Sequence, residues 1–492
     1  MKDKFKPWQR WVLFALAMAV IFASGVIISF LMEHSAEVVN VDYKKKIKIN
    51  GIEARSIIFA ENYPREYKTW VDTTSTDLHS RLNGRTSIDV LAQRPEMVIL
   101  WAGYAFSKDY STPRGHMYAL QDIVHSLRTG APMGGGDGPQ FASCWVCKSS
   151  DVPRMIEAIG VDSFYNNKWA AWGAEIVNPI GCADCHEPKN MDLHISRPSL
   201  TEAFSRQGRD ITHATPQEMR SLVCAQCHSE YYFKGNIKYP TFPWDKGFTV
   251  EDLEKYYDEI GFTDYIHKLS RAPILKAQHP DYEIFKMGIH AQRGVSCADC
   301  HMPYNDEGGI KYSDHHIQNP LVVTERTCQT CHRDNKETLC KNVYERQQKA
   351  NELRTLLEKE LAKAHIEAKF TWDIGATENE MQEALLLIRQ AQWRWDFGVS
   401  SHGGSFHAPQ ETMRILGHGL NKVFQARMLI SKVLVAHGYT DNVPLPDITT
   451  KEKAQQYIGL DMAVEKADKD KFLKEIVPEW LQKAKANGRI VN

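Results

Sequence analysis

The sequence has no excess of charge of either sign. Its 60 lysines and arginines stand against 61 aspartates and glutamates, which gives a formal net charge of −1. Binding to nucleic acid relies on phosphate contacts and needs a basic surplus or a basic stripe. Disorder is also disfavoured, because aromatic residues make up 10% of the 492 residues and provide large surfaces to bury. These counts predict a folded protein without a nucleic-acid partner.

One segment near the N-terminus lacks charge altogether. Residues 11–31 carry no charged side chain and follow a short cationic stretch. About 20 apolar residues are enough to span a bilayer, and the cationic flank is expected to stay in the cytoplasm. We therefore expect residues 1–35 to be a signal or membrane-anchor segment and the rest to be periplasmic. The run is longer than the apolar core of a cleaved signal, which favours an uncleaved anchor, with cleavage as the alternative.

Ten of the eleven cysteines form five pairs with two residues between the partners. The pairs are Cys144/Cys147, Cys182/Cys185, Cys224/Cys227, Cys297/Cys300 and Cys328/Cys331. In four pairs a histidine follows directly, namely His186, His228, His301 and His332. C-x-x-C-H is the attachment motif of haem c. Its two thiols bind the porphyrin vinyl groups, and its histidine is an axial ligand of the iron.

Zinc is the main alternative for paired cysteines. A zinc ribbon uses two pairs for each metal ion, whereas this chain has an odd number of pairs. A ribbon also gives no reason for histidine to follow the second cysteine four times. Disulfide frameworks are typical of short secreted chains. The pattern therefore predicts covalent haem, and the histidines outside the motifs can provide second axial ligands.

The first pair departs from the pattern, because Lys148 stands where the other four have histidine. A thioredoxin-like redox pair can also precede lysine, but such a site opens a helix in a βαβ unit. Here the pair follows a glycine-rich stretch, residues 134–139, and accompanies four haem motifs. We interpret Lys148 as the amine ligand of a further haem, since the axial ligand is a main control on haem chemistry. Four similar haems and one odd haem indicate four electron carriers and one reaction centre.

One C-x-x-C-K motif followed by four C-x-x-C-H motifs resembles the pentahaem cytochrome c nitrite reductases, which form ammonia. The resemblance covers about residues 50–440. It implies five covalently bound haem c groups, one calcium ion beside the active site and a homodimer. It also implies six-electron reduction of nitrite to ammonium on the Lys148-ligated haem, fed by four bis-histidine haems. The electron donor would be a membrane quinol-oxidising cytochrome or a soluble multihaem cytochrome.

Short motifs extend this resemblance to the reaction centre. Arg128, in Arg-Thr-Gly-Ala-Pro, resembles the arginine that binds the substrate anion. Tyr231 and His279 resemble the other residues near the substrate, so the implied catalytic set is Arg128, Lys148, Tyr231 and His279. The implied calcium ligands are Glu230, Tyr231, Lys276 and Gln278. Lysine can contribute only its backbone carbonyl oxygen there, because its ammonium group has no acceptor.

The same resemblance implies distal axial ligands for the four C-x-x-C-H haems. In the order of the second to the fifth haem, these are His315, His116, His407 and His290. His316 follows His315 directly in the sequence and is the alternative at the second haem. His402 is a weaker alternative to His407.

The chain shows no sustained alternation of apolar and polar residues, the pattern of half-buried strands. We predict a mainly α protein with a multihaem cytochrome c fold, packed around five covalent haems and ending in long helices. Residues 36–340 would form the pentahaem catalytic region. Residues 341–492 would form a long-helix region that provides the dimer interface, with a cap on the chain's own haem core as the alternative.

Helix signals are strongest in that C-terminal region. Residues 341–368 are rich in Glu, Lys, Leu and Ala, which are good helix formers. A capping box at Thr377 predicts a helix through Trp395. Pro409 suits the first position of a helix that runs towards His437. A second capping box, from Thr449 to Glu452, predicts a final helix.

Two functional classes remain open at this point. The chain is either a nitrite-reducing enzyme or an electron-transfer cytochrome without a catalytic site. Lys148 discriminates between them, because a carrier whose irons all have two histidine ligands does not need a different ligand at one haem.

Overall fold

The structure is a computed structural model that describes residues 6–37, 45–77, 84 and 86–490. Helices make up 58% of it and strands 6%, which confirms the mainly α prediction. In chain order, the α-helices of the described residues are α1 (Pro7–Glu37), α2 (Ser56–Phe59), α3 (Pro64–Val71), α4 (Val90–Gln93), α5 (Glu96–Leu100), α6 (Ala119–His125), α7 (Asp151–Ile159), α8 (Val161–Tyr165), α9 (Cys182–Cys185), α10 (Pro198–Arg206), α11 (Pro216–Ala225), α12 (Val250–Glu259), α13 (Asp281–Met287), α14 (Ile289–Gln292), α15 (Cys297–His301), α16 (Lys336–Asp373), α17 (Glu378–Ser400), α18 (Gly404–His407), α19 (Pro409–Ala436), α20 (Lys451–Tyr457) and α21 (Met462–Ala486).

Short 3₁₀ helices and small hairpins connect these helices. The 3₁₀ helices are Asp72–Thr74, Ala105–Ser107, His116–Tyr118, Leu127–Thr129, Ala142–Trp145, Trp169–Trp172, Ile211–His213, Pro320–Val323 and Cys328–Thr330. The strands pair as antiparallel hairpins, β1 (Tyr232–Lys234) with β2 (Tyr239–Thr241), β3 (Tyr265–Ile266) with β4 (Pro273–Ile274), and β5 (Tyr304–Glu307) with β6 (Ile310–Ser313). A two-stranded hairpin has no independent stability, so the helices determine the architecture.

The first helix, α1, contains the predicted membrane segment. Its stretch Pro7–Ser29 is long and apolar enough to cross a bilayer, and none of that stretch is buried against the rest of the described chain. An apolar helix of this kind fits a signal peptide or a membrane anchor. The first five residues of the predicted 1–35 segment lie outside the described residues.

The long helices α16, α17 and α19 pack along one another around an apolar core. Leu357 of α16, Ala391 of α17 and Val423 of α19 are fully buried there. A β-carbon at Gly419 would lie 2.7 Å from a Leu357 methyl group, so the glycine permits α16 and α19 to approach closely. Residues 97–100 of α5 belong to the same core. The C-terminal helices therefore pack directly on the N-terminal part of the predicted catalytic region.

Two helices begin as the sequence predicts. The Thr377 hydroxyl accepts a hydrogen bond from the Glu380 N–H at 3.4 Å, and the Glu380 carboxylate accepts one from the Thr377 N–H at 2.7 Å. This reciprocal capping box starts α17, which continues beyond Trp395 to Ser400. Pro409 is the first residue of α19, where a missing N–H leaves no hydrogen bond unmade.

The capping box predicted at Thr449 and Glu452 is wrong. Thr450 is the N-cap of α20, and its hydroxyl accepts from the Lys453 N–H at 3.3 Å. The Thr449 hydroxyl instead donates to the Asp447 carboxylate at 2.6 Å, which commits that side chain to the preceding turn. Nor is α20 the final helix, because α21 follows it.

The last helix, α21, packs against the segment that contains the first cysteine pair. Phe472 is fully buried in that contact. A β-carbon at Gly173 would lie 2.2 Å from the Trp480 ring, so the backbone there can approach the ring only without a side chain. The Lys469 ammonium group donates to the Thr129 hydroxyl at 3.0 Å. The C-terminal helix therefore supports the loop next to the first cysteine pair.

Candidate haem and active site

The cysteine pairs lie in short turns with two geometries. The backbone N–H of His186, His228 and His332 donates to the carbonyl of the first cysteine of its motif at 2.9, 2.9 and 2.8 Å. This is one α-helical turn, which brings both thiols and the histidine close together. The Lys148 N–H instead donates to the Trp145 carbonyl at 2.9 Å, which is a tighter 3₁₀ turn. The C-x-x-C-K motif therefore differs from the others in its backbone as well as in its side chain.

A single cavity of about 1600 Å³ runs between all five motifs. It is lined by at least one cysteine of every pair, by Lys148 and by the histidines His116, His186, His228, His290, His301, His315 and His407. Cys331 and His332 are exposed, so the fifth motif lies at the surface. None of the eleven cysteines takes part in a disulfide bond. The predicted haem attachment residues are therefore arranged around one connected space.

The structure brings each motif histidine opposite the distal histidine predicted for it. Two imidazoles that bind one metal ion from opposite sides have ring centres about 6 Å apart. This separation is the sum of two metal–nitrogen bonds of about 2 Å each and the distance from each nitrogen to the centre of its own ring. The observed separations are 6.1 Å for His186 and His315, 6.2 Å for His228 and His116, 6.3 Å for His301 and His407, and 6.2 Å for His332 and His290. All four pairs therefore have the spacing that a shared iron requires.

The two alternative histidines lie elsewhere in the arrangement. His315, rather than its neighbour His316, has its ring opposite His186. The ring centre of His402 lies 5.3 Å from that of His279, in an edge-to-face contact within the candidate active site. The geometry thus favours His315 and His407 as the distal residues.

Hydrogen bonds turn several of these rings towards the cavity. The Nδ1 atoms of His186, His301 and His315 lie 2.7, 3.0 and 2.8 Å from the backbone carbonyl oxygens of Met191, Gln318 and Ser313. A carbonyl can only accept, so each Nδ1 carries the proton and each Nε2 has a free lone pair. Burial also lowers the pKa of His186 to about 4, which keeps the ring in the neutral form that a metal ion needs. These residues fit haem iron.

The four predicted catalytic residues all line this cavity. The Arg128 side chain is fixed by its Nε–H, which donates to the Ser126 hydroxyl at 3.0 Å, and by the Phe106 ring, whose centre lies 4.5 Å from the guanidinium carbon. Tyr231 contributes a buried phenol, and burial raises its pKa well above the usual value. An arginine and a phenol facing one cavity can bind a small anion and donate hydrogen bonds to it.

His279 is another residue that lines this cavity. Its Nδ1 atom is buried and has no hydrogen-bond partner among the described residues. Asp281 Oδ2 is the nearby acid, but it lies 4.0 Å away and closer to His228, whose Nδ1 is 3.5 Å from it. Burial and the positive charge of neighbours that include Lys148 lower the pKa of His279 well below its usual value. The imidazole is therefore neutral, so one ring nitrogen can accept a proton and the other can donate a hydrogen bond within the cavity.

Three of the four predicted calcium ligands meet beside this cavity. The fully buried Glu230 carboxylate accepts from the Tyr257 hydroxyl at 2.9 Å and from the Gln278 N–H at 2.6 Å. The Gln278 side-chain amide lies 3.4 Å from the Lys276 carbonyl oxygen. The fourth, Tyr231, follows Glu230 in the chain. Carboxylate, amide and carbonyl oxygens are the donors that calcium prefers.

Two features of these residues suit a divalent cation. The Lys276 ammonium group points away to a buried ion pair with Asp396, at 2.9 Å, so its backbone carbonyl is the group that faces Gln278. Burial raises the pKa of Glu230 well above its usual value, because an ionised carboxylate is costly without a counter-ion. A bound cation would offset that cost, so the site fits calcium.

The sequence did not reveal several polar neighbours of these residues. Tyr104 lies beside the Gln278 side chain, and burial raises its pKa above the usual value. The Asp264 carboxylate accepts from the Lys276 N–H at 2.8 Å, and burial raises its pKa to about 7. Tyr104 and Asp264 belong to no motif and are distant in the chain from most of their partners. Asp281 is the exception, because it stands two residues after His279 and could have been noted there.

The helical fold, the paired histidines and the shared cavity define a multihaem c-type cytochrome. A family model described as cytochrome c552 matches residues 56–488. The chain belongs to the cytochrome c552 family, whose haem c groups are covalently attached.

Known relatives agree with this assignment. Cytochrome c-552 of Bacteroides fragilis is 71% identical over 490 residues, covering 100% of this chain and 99% of the relative. Cytochrome c-552 of Porphyromonas gingivalis is 63% identical over 489 residues, covering 99% and 98%. Among solved structures, the catalytic subunit of the cytochrome c nitrite reductase from Desulfovibrio desulfuricans, which has two calcium sites, matches with a TM-score of 0.74. That match has 28% identity and covers 85% of this chain and 91% of the other.

The hydrogen bond from Tyr257 to Glu230 generates a prediction. Tyr257→Phe removes a donor to a buried carboxylate, which costs about 1–3 kcal/mol when the acceptor loses its partner. Tyr256→Phe is the matched control, because the Tyr256 hydroxyl pairs with a neutral group, the Tyr232 hydroxyl, at 3.0 Å. We expect the first variant to have the lower melting temperature in calorimetry. Equal melting temperatures would contradict the assigned role of Tyr257.

Proposed function

We propose that this chain is an ammonia-forming cytochrome c nitrite reductase that works on the periplasmic side of the membrane. The observation that carries the proposal is the placement of Lys148. Its side chain lines one cavity with Arg128, Tyr231 and His279, while four histidine pairs line the remainder of that cavity or lie at its edge. An electron carrier would need the pairs but not a basic, polar chamber around a different axial ligand.

Five covalent haem c groups would be held by the five cysteine pairs. Lys148 would be the proximal ligand of the first haem. The second to fifth haems would have the axial pairs His186/His315, His228/His116, His301/His407 and His332/His290. When bound, the haems supply the electrons and the iron site for substrate.

The chain's own residues would bind the anion and deliver protons. Each nitrite that becomes ammonium takes up six electrons and eight protons and releases two waters. Arg128 would hold the substrate anion by charge-assisted hydrogen bonds. His279 and Tyr231 are the groups with transferable protons that face the same chamber. The nearby calcium ion would add to a positive potential that attracts nitrite.

Calcium would be held by Glu230, Gln278 and the backbone carbonyl oxygens of Tyr231 and Lys276. The ion would fix Tyr231 beside the substrate, because the same residue contributes to both sites. Glu230 is the ligand with a negative charge, so it would contribute most to calcium affinity.

The same proposal includes partners that the resemblance implies. Electrons would come from a multihaem donor, either a membrane quinol-oxidising cytochrome or a soluble cytochrome. Two copies of the chain would pair through the long C-terminal helices of residues 341–492. Helix α1 would direct export and, if it is not cleaved, would anchor the protein through residues 11–31.

Substitutions of Lys148 test the proposal directly. Lys148→His keeps both cysteines, so haem content is expected to stay at the wild-type level while nitrite turnover falls, because imidazole replaces the amine at the iron. Lys148→Leu removes the protein ligand and is expected to reduce turnover further. Turnover and haem content are measured on the same preparations. Wild-type turnover in the leucine variant would show that Lys148 is not the ligand, and loss of haem from the histidine variant would contradict the attachment.

Arg128 and His279 are expected to affect different kinetic constants. Arg128→Ala removes a charge-assisted interaction of about 1.5–3 kcal/mol, which corresponds to a KM for nitrite about 10–100-fold higher. His279→Asn removes a proton donor and is expected to lower kcat by about 10²–10⁴ with less effect on KM. His213→Asn, on an exposed side chain, is the control. Wild-type steady-state constants in both variants would overturn these roles.

Glu230→Gln tests the calcium site. The substitution keeps the shape of the side chain and removes its charge, so we expect weaker calcium binding and an activity that excess calcium restores. Glu254→Gln is the control, because Glu254 is a buried carboxylate that binds Arg394 at 2.9 Å and is not one of the candidate calcium ligands. Calcium affinity is measured by titration of calcium-depleted protein, and equal affinity in both variants would refute the site.

A further inference from the structure

Arg197 is a buried cation that the proposed mechanism does not use. Its side chain is fully buried at the start of α10. The residue is not among those that line the haem cavity in the described chain. It therefore cannot contact substrate, and any effect on the reaction must pass through the groups that it binds.

The Arg197 guanidinium holds the backbone on both sides of Lys148. Its Nε–H donates to the Val146 carbonyl at 3.0 Å, and its Nη2 donates to the Ser149 carbonyl at 2.9 Å. Cys147 and Lys148 are the two residues between these carbonyls. The planar guanidinium can make both bonds at once because its donors have a fixed geometry.

The same side chain forms an ion pair with the second cysteine motif. Arg197 Nη2 lies 2.6 Å from the carboxylate of Asp184, which stands between Cys182 and Cys185. The other oxygen of that carboxylate accepts from the Ser150 hydroxyl at 2.6 Å. Asp184 therefore contacts both the arginine and the segment just after Lys148.

The third motif joins this network through Gln226, which stands between Cys224 and Cys227. Its side-chain oxygen accepts from the Arg197 backbone N–H at 3.2 Å, and its side-chain amide donates to the Asp184 backbone carbonyl at 2.8 Å. Both Arg197 and Gln226 are buried. A buried ion pair fixes its surroundings, because removing one partner costs several kcal/mol.

We propose that Arg197 is a positioning residue for Lys148. A lysine side chain has a flexible four-carbon stem, so its amine has a defined place only if the backbone beneath it is fixed. Arg197 fixes that backbone from both sides and ties it to the second and third motifs. The inference rests on the proposed function only in taking Lys148 as a haem ligand.

Arg197→Lys is the main test. Lysine keeps the charge beside Asp184 but cannot donate in a planar fork to both carbonyls. We expect full haem content, because the cysteines are unchanged, together with a shifted or split EPR and absorption signal of the Lys148-ligated haem. Turnover is expected to fall about 10–100-fold, as for other residues that orient a metal ligand. The signals of the bis-histidine haems are expected to stay unchanged.

Arg394→Lys is the matched control. Arg394 is also buried and binds both oxygens of Glu254 at 2.9 Å, but it contacts no haem motif. We expect this control to lower the melting temperature without changing the Lys148 haem signal. Equal spectral changes in the two variants would reduce Arg197 to a general structural role and overturn the inference.

Asp184→Asn is the second test of the role of Arg197, for use if the Arg197→Lys variant does not fold. It keeps the side-chain shape and removes the charge of the ion pair, so a smaller shift of the same haem signal is expected. If the variants that fold have the wild-type signal of the Lys148-ligated haem, the inference about Arg197 is refuted, while the proposed function is not affected. If the Lys148→His variant instead has the same spectrum as the wild-type protein, the proposed function is refuted. The two failures are therefore distinguishable.

Discussion

Four pairs of imidazole rings, each about 6 Å apart, organise the packing of the described chain around the cavity. Each pair joins a motif histidine to a histidine from another part of the sequence. His116 comes from a 3₁₀ helix before the first cysteine pair, whereas His407 ends α18 near the C-terminal helices. Segments far apart in sequence are thus held at fixed distances around one cavity. The long C-terminal helices α16 and α19 pack next to α18, which contains His407.

Buried charge is the second organising feature, and two buried cations each have a specific partner. Lys276 pairs with Asp396, which turns its carbonyl towards the candidate calcium site. Arg197 pairs with Asp184 beside the first and second motifs. Breaking one partner of such a pair leaves an uncompensated charge, which is costly in the interior. The polar residues around the candidate active site are therefore held more rigidly than apolar packing alone would hold them.

Local signals explain what the sequence could predict. The cysteine spacing, Lys148 and the capping box at Thr377 depend on residues within five positions of one another, so they can be recognised without the fold. The choice between Thr449 and Thr450 is also local but ambiguous, because both can cap a helix and the sequence does not show that the Thr449 hydroxyl donates to Asp447. Arg197 was missed for a different reason. Its partners come from three motifs that meet only after folding.

Electronic and EPR spectroscopy of the purified protein, with and without nitrite, tests the central claim most directly. The account predicts four low-spin haems with two histidine ligands and one high-spin haem whose signal shifts when nitrite is added. A protein with only low-spin haems, and with a spectrum that nitrite leaves unchanged, would contradict the assignment of Lys148 as the ligand of an open catalytic site. Such a result would identify the chain as an electron carrier.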